Sequence, residues 1–251
     1  RDVTSDFLSE IQNSNVKPIE PVFLDFKKDL SQLKAKSNIP VLYKQNTSND
    51  LFQLIYVFDM GNNNDKVLGT AFDYIDYLGT SDMTPEQLKS EFYRLACTFR
   101  VVPGNERTYV LLSGLNENMP EAMKLFEKLM ADAQVNKEAY TNMVADILKS
   151  RKDAKLNQMQ NFRRLMSYGM YGPKSPATNI LTEAELQNMD PQELIDRIHN
   201  QNSYQHRILY YGPTSEKELL AIINKNHQAP KKLKEIPVGN EFPRLETPVT
   251  Q

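Results

Sequence analysis

Three histidines, one cysteine and a pair of aspartates three residues apart are the side chains here with the chemistry for catalysis or metal binding. Helical zinc sites set two strong ligands at i and i+4, drawn from imidazole, thiolate or carboxylate. His199, His206 and His227 offer no such spacing on one helix. His199 falls at the end of a predicted helix, His206 opens a predicted strand, and His227 follows a helix end, where the dipole favours an imidazole. Each reads as structural. Asp73 and Asp76 share a helix face, but carboxylates without imidazole or thiolate seldom hold zinc. A solvated face is the expectation for them. Cys97 lies in the apolar run Leu95-Ala-Cys-Thr-Phe99 and reads as packed core, not as a nucleophile. As the sole cysteine it allows no intrachain disulfide.

Other chemistries have less support. The sequence holds no Gly-x-Ser-x-Gly, no Gly-x-Gly-x-x-Gly and no P-loop, and only nine glycines in all. Ser113-Gly-Leu-Asn-Glu-Asn118 follows a predicted strand and reads as a strand-to-helix cap. Phe52, Tyr56 and Phe58 share one strand face by the period-two rule, and Phe72, Tyr74 and Tyr77 crowd the next helix. Core packing is expected of these aromatics; the alternative is an aromatic wall lining a peptide-binding chamber. The charged run Lys149-Ser-Arg-Lys-Asp-Ala-Lys155 reads as a solvated helix face.

The elements that must position these residues come from pattern and punctuation. The 251 residues are 40% hydrophobic and 25% charged, ordinary for a globular chain. A net charge of −2 gives no sign of a nucleic-acid or anionic-membrane surface, and no run of 18 apolar residues is present to span a bilayer. Starting at Arg1 without methionine or leader suggests an excised or processed chain and leaves the compartment unknown. Residues 1–30 carry Pro18 and Pro21 and read as an N-terminal connector. Residues 31–228 form one predicted α+β domain. Residues 229–251, with Pro230, Pro237, Pro243 and Pro248, read as a C-terminal linker.

Within the domain, Ile39–Gln45 and Leu51–Met60 are predicted strands joined by the turn-rich Asn46–Asp50, as in a hairpin. Lys66–Leu78 has helical period and stops at Gly79. Thr84, Pro85 and Gln87 form a capping box for a helix to about Leu95. Cys97–Val102 and Thr108–Ser113 flank Pro103-Gly-Asn-Glu106 as a second hairpin. Helices follow near Pro120–Ala133 and over Lys137–Tyr168, then at Thr182 and Asp190. A strand at His206–Gly212 and a helix at Ser215–Asn226 close the order. Paired strands alternating with helices predict an α+β fold, a mixed or antiparallel sheet with helices packed on one face.

The predicted strand Leu51–Met60 leads into a polar Gly/Asn turn opening at Gly61 and a helix ending in Leu78-Gly-Thr80. That stretch, with Asn49-Asp-Leu-Phe52, Leu112-Ser-Gly-Leu-Asn-Glu-Asn118 and Tyr168-Gly-Met-Tyr-Gly172, resembles the non-catalytic domains of the pitrilysin/insulinase family of zinc metallopeptidases, from about Pro18 to Pro230. In that family's catalytic domains the helix carries His-x-x-Glu-His, and a distal Glu on a long helix completes the zinc site. Anchored on Leu78-Gly-Thr80, the alignment sets Thr70 and Tyr74 on the histidines, Asp73 on the catalytic Glu and Asp146 near the distal Glu. The family's Arg and Tyr substrate contacts have no counterpart at Phe92–Phe99.

The resemblance implies a mitochondrial-processing-peptidase-like metallohydrolase domain with no catalytic, metal-ligating or assigned substrate-binding residue of its own. It would help enclose a peptide or unfolded polypeptide. Zinc and proteolysis would come from a His-x-x-Glu-His domain of the same polypeptide or of a partner chain. A scaffold or assembly module without peptidase role is the alternative. A bacterial periplasmic or other extracytoplasmic location is compatible with the family.

Overall fold

Alternating apolar side chains over Leu51–Phe58 build one of the two central strands of a six-stranded sheet. The computed structural model describes residues 5–14, 21, 23, 25, 26 and 28–246. Contacts divide the chain into two units, Arg1–Leu30 and Ser31–Gln251. In the first, α1 (Asp6–Asn13) is capped by Ser5, whose hydroxyl accepts from the Leu8 amide. The prolines of the predicted connector, Pro18 in particular, lie outside the described residues or outside regular structure.

The second unit runs β1 (Ser31–Lys34), β2 (Pro40–Gln45), β3 (Leu51–Phe58), α2 (Leu68–Tyr74), α3 (Pro85–Arg94), β4 (Cys97–Pro103), β5 (Thr108–Leu115), α4 (Met119–Asp132), α5 (Lys137–Ala154), α6 (Gln158–Tyr171), α7 (Glu183–Asn188), α8 (Gln192–Asn200), β6 (Arg207–Gly212) and α9 (Glu216–Asn226). The strand order is β1-β2-β6-β3-β5-β4. Only β2 and β6 run parallel among these neighbours. Phe52, Leu54, Tyr56 and Phe58 of β3 are buried with Val110, Leu112, Ile208 and Tyr210 of the flanking strands. Against that face pack Leu68 and Phe72 of α2, Phe126 of α4, Ile195 of α8 and Leu219 of α9. Helices cover one face of a mixed sheet, the expected α+β class. The opposite face keeps Gln53 and Tyr211 exposed.

Three local expectations give way. β2 and β3 do not pair as a hairpin; β6 lies between them, parallel to β2 and antiparallel to β3. Asn46–Asp50 therefore steps over one strand, and Tyr43 of β2 stacks on Tyr210 of β6 at 5.7 Å. The helix expected from Lys66 is α-helical only over Leu68–Tyr74, then tightens to a 3-10 turn at Ile75–Tyr77. The single long helix expected over 137–168 is two, because Asn157 caps a new one by accepting from the Gln160 amide.

Past α9, residues 229–246 run against the domain. Lys234 N donates to Ser203 O, Gln205 N to Lys234 O, Asn240 N to Asn63 O and Leu245 N to Met170 O.

Candidate functional site

α2 is entered through a tight turn. A Cβ at Gly61 would stand 2.4 Å from Gly104 O, so the turn after β3 touches the β4–β5 turn backbone to backbone. The helix buries Leu68, Ala71, Phe72 and Tyr74, leaves Thr70 half-buried, and turns Asp73 to solvent. Tyr74 is fully buried. Its hydroxyl donates to Asn136 O at 2.6 Å and accepts from Asn136 N at 2.8 Å. Tyr140 of α5 meets its ring edge-on at 5.8 Å. Asp146, further along α5, is exposed. The position that the resemblance aligns with a second imidazole holds a phenol with both hydrogen-bonding roles filled. Beside it stand an alcohol and two solvent-facing carboxylates. These groups do not fit zinc, which takes three or four converging strong ligands. Among the described residues no group of three or more His, Cys, Asp or Glu could hold a metal.

The aromatic residues weighed as a chamber wall are core. Phe52, Tyr56, Phe58 and Phe72 are at most 2% exposed, and only Tyr77 opens to solvent. Cys97 is buried, and burial pushes its thiol up, away from the reactive thiolate. Ser113–Asn118 ends β5 and enters α4. There Asn116 Oδ1 accepts from the Tyr210 and Thr214 hydroxyls, each at 3.0 Å.

Two of the three histidines meet in a cluster that no local pattern announces. Glu127 sits on the buried stripe of α4 beside Met123, Phe126 and Met130, 1% exposed. Its Oε1 accepts from the Tyr56 hydroxyl at 2.9 Å and meets His227 Nδ1 at 2.6 Å. Its Oε2 accepts from Asn202 Nδ2 and from Gln228 N, both at 3.0 Å. His227 Nε2 lies 2.8 Å from His206 Nε2, and His206 Nδ1 lies 2.6 Å from Tyr204 O. A carbonyl can only accept, so His206 carries its proton on Nδ1 and offers a bare Nε2. His227 Nε2 must then be the donor. Burial first, and His227 second, lower the His206 pKa to about 4. Burial, then the Glu127 charge and hydrogen bond, push Tyr56 well above its ordinary value. The cluster joins β3, α4, the start of β6 and the end of α9. The separation of two nitrogens at 2.8 Å leaves no room for a metal between them. Glu127 at a core-facing spacing among apolar residues was the one available sequence signal.

A third feature is open to a ligand. β4 ends the sheet and pairs only with β5 among the described strands. Beside it a mostly apolar cavity of ≈ 350 Å³ is lined by Leu78, Leu88, Phe92, Phe99 and Leu129. Tyr93 stands at its rim, 88% exposed.

No protein-family model and no curated protein matches the sequence. Solved structures do. The periplasmic protease PqqL from Escherichia coli superposes with a TM-score of 0.75 at 14% identity, over 96% of this chain and 30% of its own. The ferredoxin protease FusC, solved as a mutant in complex with Arabidopsis ferredoxin, gives 0.73 at 10% identity, over 93% and 27%. A peptidase M16 inactive domain from Pseudomonas fluorescens gives 0.68 at 14%, over 84% and 54%. The chain spans under a third of the length of the first two. It has the fold of these peptidase domains, and its resemblance to the non-catalytic domains of the pitrilysin family holds at the level of fold.

Proposed function

We propose that this chain is a non-catalytic domain of a zinc metalloendopeptidase and helps to enclose and bind its peptide substrate. The reading rests on a peptidase fold in which the position that the resemblance aligns with the second metal-binding histidine is Tyr74, a buried phenol hydrogen-bonded on both sides to Asn136. Zinc and hydrolysis belong to a His-x-x-Glu-His domain of the same polypeptide or a partner chain. An extended peptide adds along the free edge of β4, where main-chain hydrogen bonds supply affinity and side-chain pockets supply selectivity. The apolar cavity between α3 and β4 takes a large apolar side chain.

Hydrogen exchange on the parent peptidase tests this. A bound, uncleaved peptide is expected to slow amide exchange across Cys97–Pro103 and to leave β1, at the opposite edge, unchanged. Unaltered exchange at β4 would remove the substrate-binding role. Chelator-sensitive hydrolysis by this chain alone would overturn the non-catalytic one.

A further inference from the structure

The charged run of α5 is solvated, as expected, and borders a groove. Lys149, Arg151, Lys152 and Lys155 line one wall of a groove of ≈ 1070 Å³, and Arg164 of α6 lines the other. Against these five cations the lining has a single carboxylate, Glu183. Arg151 is fixed, its guanidinium donating to Leu181 O at 2.7 Å. Lys149, Lys152, Lys155 and Arg164 form no ion pair with any described residue. Between the cations the lining turns apolar through Leu148, Tyr168, Ile180 and Leu181. Tyr168 and Ile180 are 60% and 47% exposed and leave apolar surface open within the groove.

We propose that this groove docks an acidic segment of a polypeptide partner, with carboxylates on the cations and an apolar side chain between them. The charge balance selects the occupant. A chain of net charge −2 gathers five unbalanced or backbone-held cations around one concavity. Such a local field raises the encounter rate with an oppositely charged segment. The apolar lining discriminates further, since a bare polyanion leaves it wet while a Glu/Leu-type peptide covers it. The proposal is independent of the β4 edge and uses other elements.

The test is fluorescence anisotropy on the full chain with a labelled peptide of alternating Glu and Leu. The comparison probes are its Gln-for-Glu counterpart, a single-stranded oligothymidylate and phosphatidylglycerol vesicles. The Glu/Leu peptide is expected to bind about tenfold or more tighter than the Gln/Leu peptide and to weaken about tenfold as salt rises from ~0.05 to ~0.3 M. The double variant Lys152→Glu, Arg164→Glu is expected to lose about tenfold in affinity with an unchanged thermal melt. Lys217→Glu, on exposed α9 surface, is expected to change nothing. Equal binding of the two peptides, tighter binding of the oligonucleotide or vesicles, or a double variant that binds as well as the parent would each overturn the proposal.

Discussion

His227 Nε2 stands 2.8 Å from His206 Nε2 with the far nitrogen of each ring held to oxygen, on Glu127 for one and Tyr204 for the other. That contact is attractive only while one of the two Nε2 atoms carries a proton and the other does not; with His206 protonated on Nδ1 alone, the donor is His227. The pair therefore ties the end of α9 to the start of β6 in one protonation state. The hydrogen-bonded groups around it are Tyr56 from β3, Glu127 from α4, Asn202 and Tyr204 from the turn before β6, and the Gln228 amide.

From this follows a pH dependence of stability. His206 titrates near 4 in the folded chain, below the ordinary 6.5. Between those values the unfolded chain binds the extra proton and the folded one does not. The contribution of His206 to stability is thus full above pH 6.5, shrinks as pH drops, and is gone below about 4. The loss attributable to this residue is about 3 kcal/mol. Urea unfolding at several pH values measures it. His206→Gln, which keeps an acceptor for His227 and cannot titrate there, should flatten the slope over that window. An unchanged slope would place the proton elsewhere.

Glu127 is the member whose removal should cost most. Glu127→Ala leaves the Tyr56 hydroxyl, Asn202 amide, Gln228 amide and His227 without their acceptor inside the core. Stranding such a cluster costs on the order of 3–5 kcal/mol. Chemical denaturation should show it as a large fall in midpoint, larger than that of an exposed control such as Glu117→Ala.

How much of this was legible depended on distance along the chain. The capping boxes at Thr84/Gln87 and Thr182/Glu185 are local chemistry, and both form as the sequence implies. The β4–β5 hairpin turns on four consecutive residues and also forms. The β2–β3 hairpin failed because its competitor, β6, lies some 160 residues away and no turn signal encodes it. The break at Asn157 was hidden by helical pattern on both sides, although Asn is a strong cap. The His206–His227–Glu127 cluster was invisible for the same reason as β6: its members come together only when α4 packs across the sheet and α9 returns.

Tyr74→Phe isolates the plug in the degenerate site. The ring and its contact with Tyr140 remain, while Asn136 loses a donor for its carbonyl and an acceptor for its amide. Asn136 also caps α5 by accepting from Ala139 N, so the loss falls on the start of a long helix. A destabilisation of about 1–3 kcal/mol is expected. Exchange should rise first at the first turn of α5. If the melt of Tyr74→Phe matches that of the parent, the phenol is merely filling space.

Ala96 and Gly114 give the sharpest contrast between two small residues in contact. Ala96 adopts φ 50 between α3 and β4, a left-handed conformation that favours glycine, and its side chain is exposed. Ala96→Gly removes no packing and relieves backbone strain, so it should stabilise by about 0.5–1 kcal/mol. Gly114 sits opposite in β5 at φ 148, where a Cβ would meet Ala96 O at 2.3 Å and Cys97 Cα at 2.6 Å. Both obstacles are backbone, at the start of the paired strand and just before it, and cannot swing aside. Gly114→Ala must therefore push β4 from β5 at the Cys97 end or distort the strand, at a cost of about 2 kcal/mol or more. Because the Cys97 end of β4 borders the apolar cavity, the same variant should loosen the edge proposed to hold peptide. Thermal melts rank the two variants against the parent, with Ala96→Gly above it and Gly114→Ala below; the reverse order would mean that the close approach of β4 and β5 is not what makes position 114 a glycine.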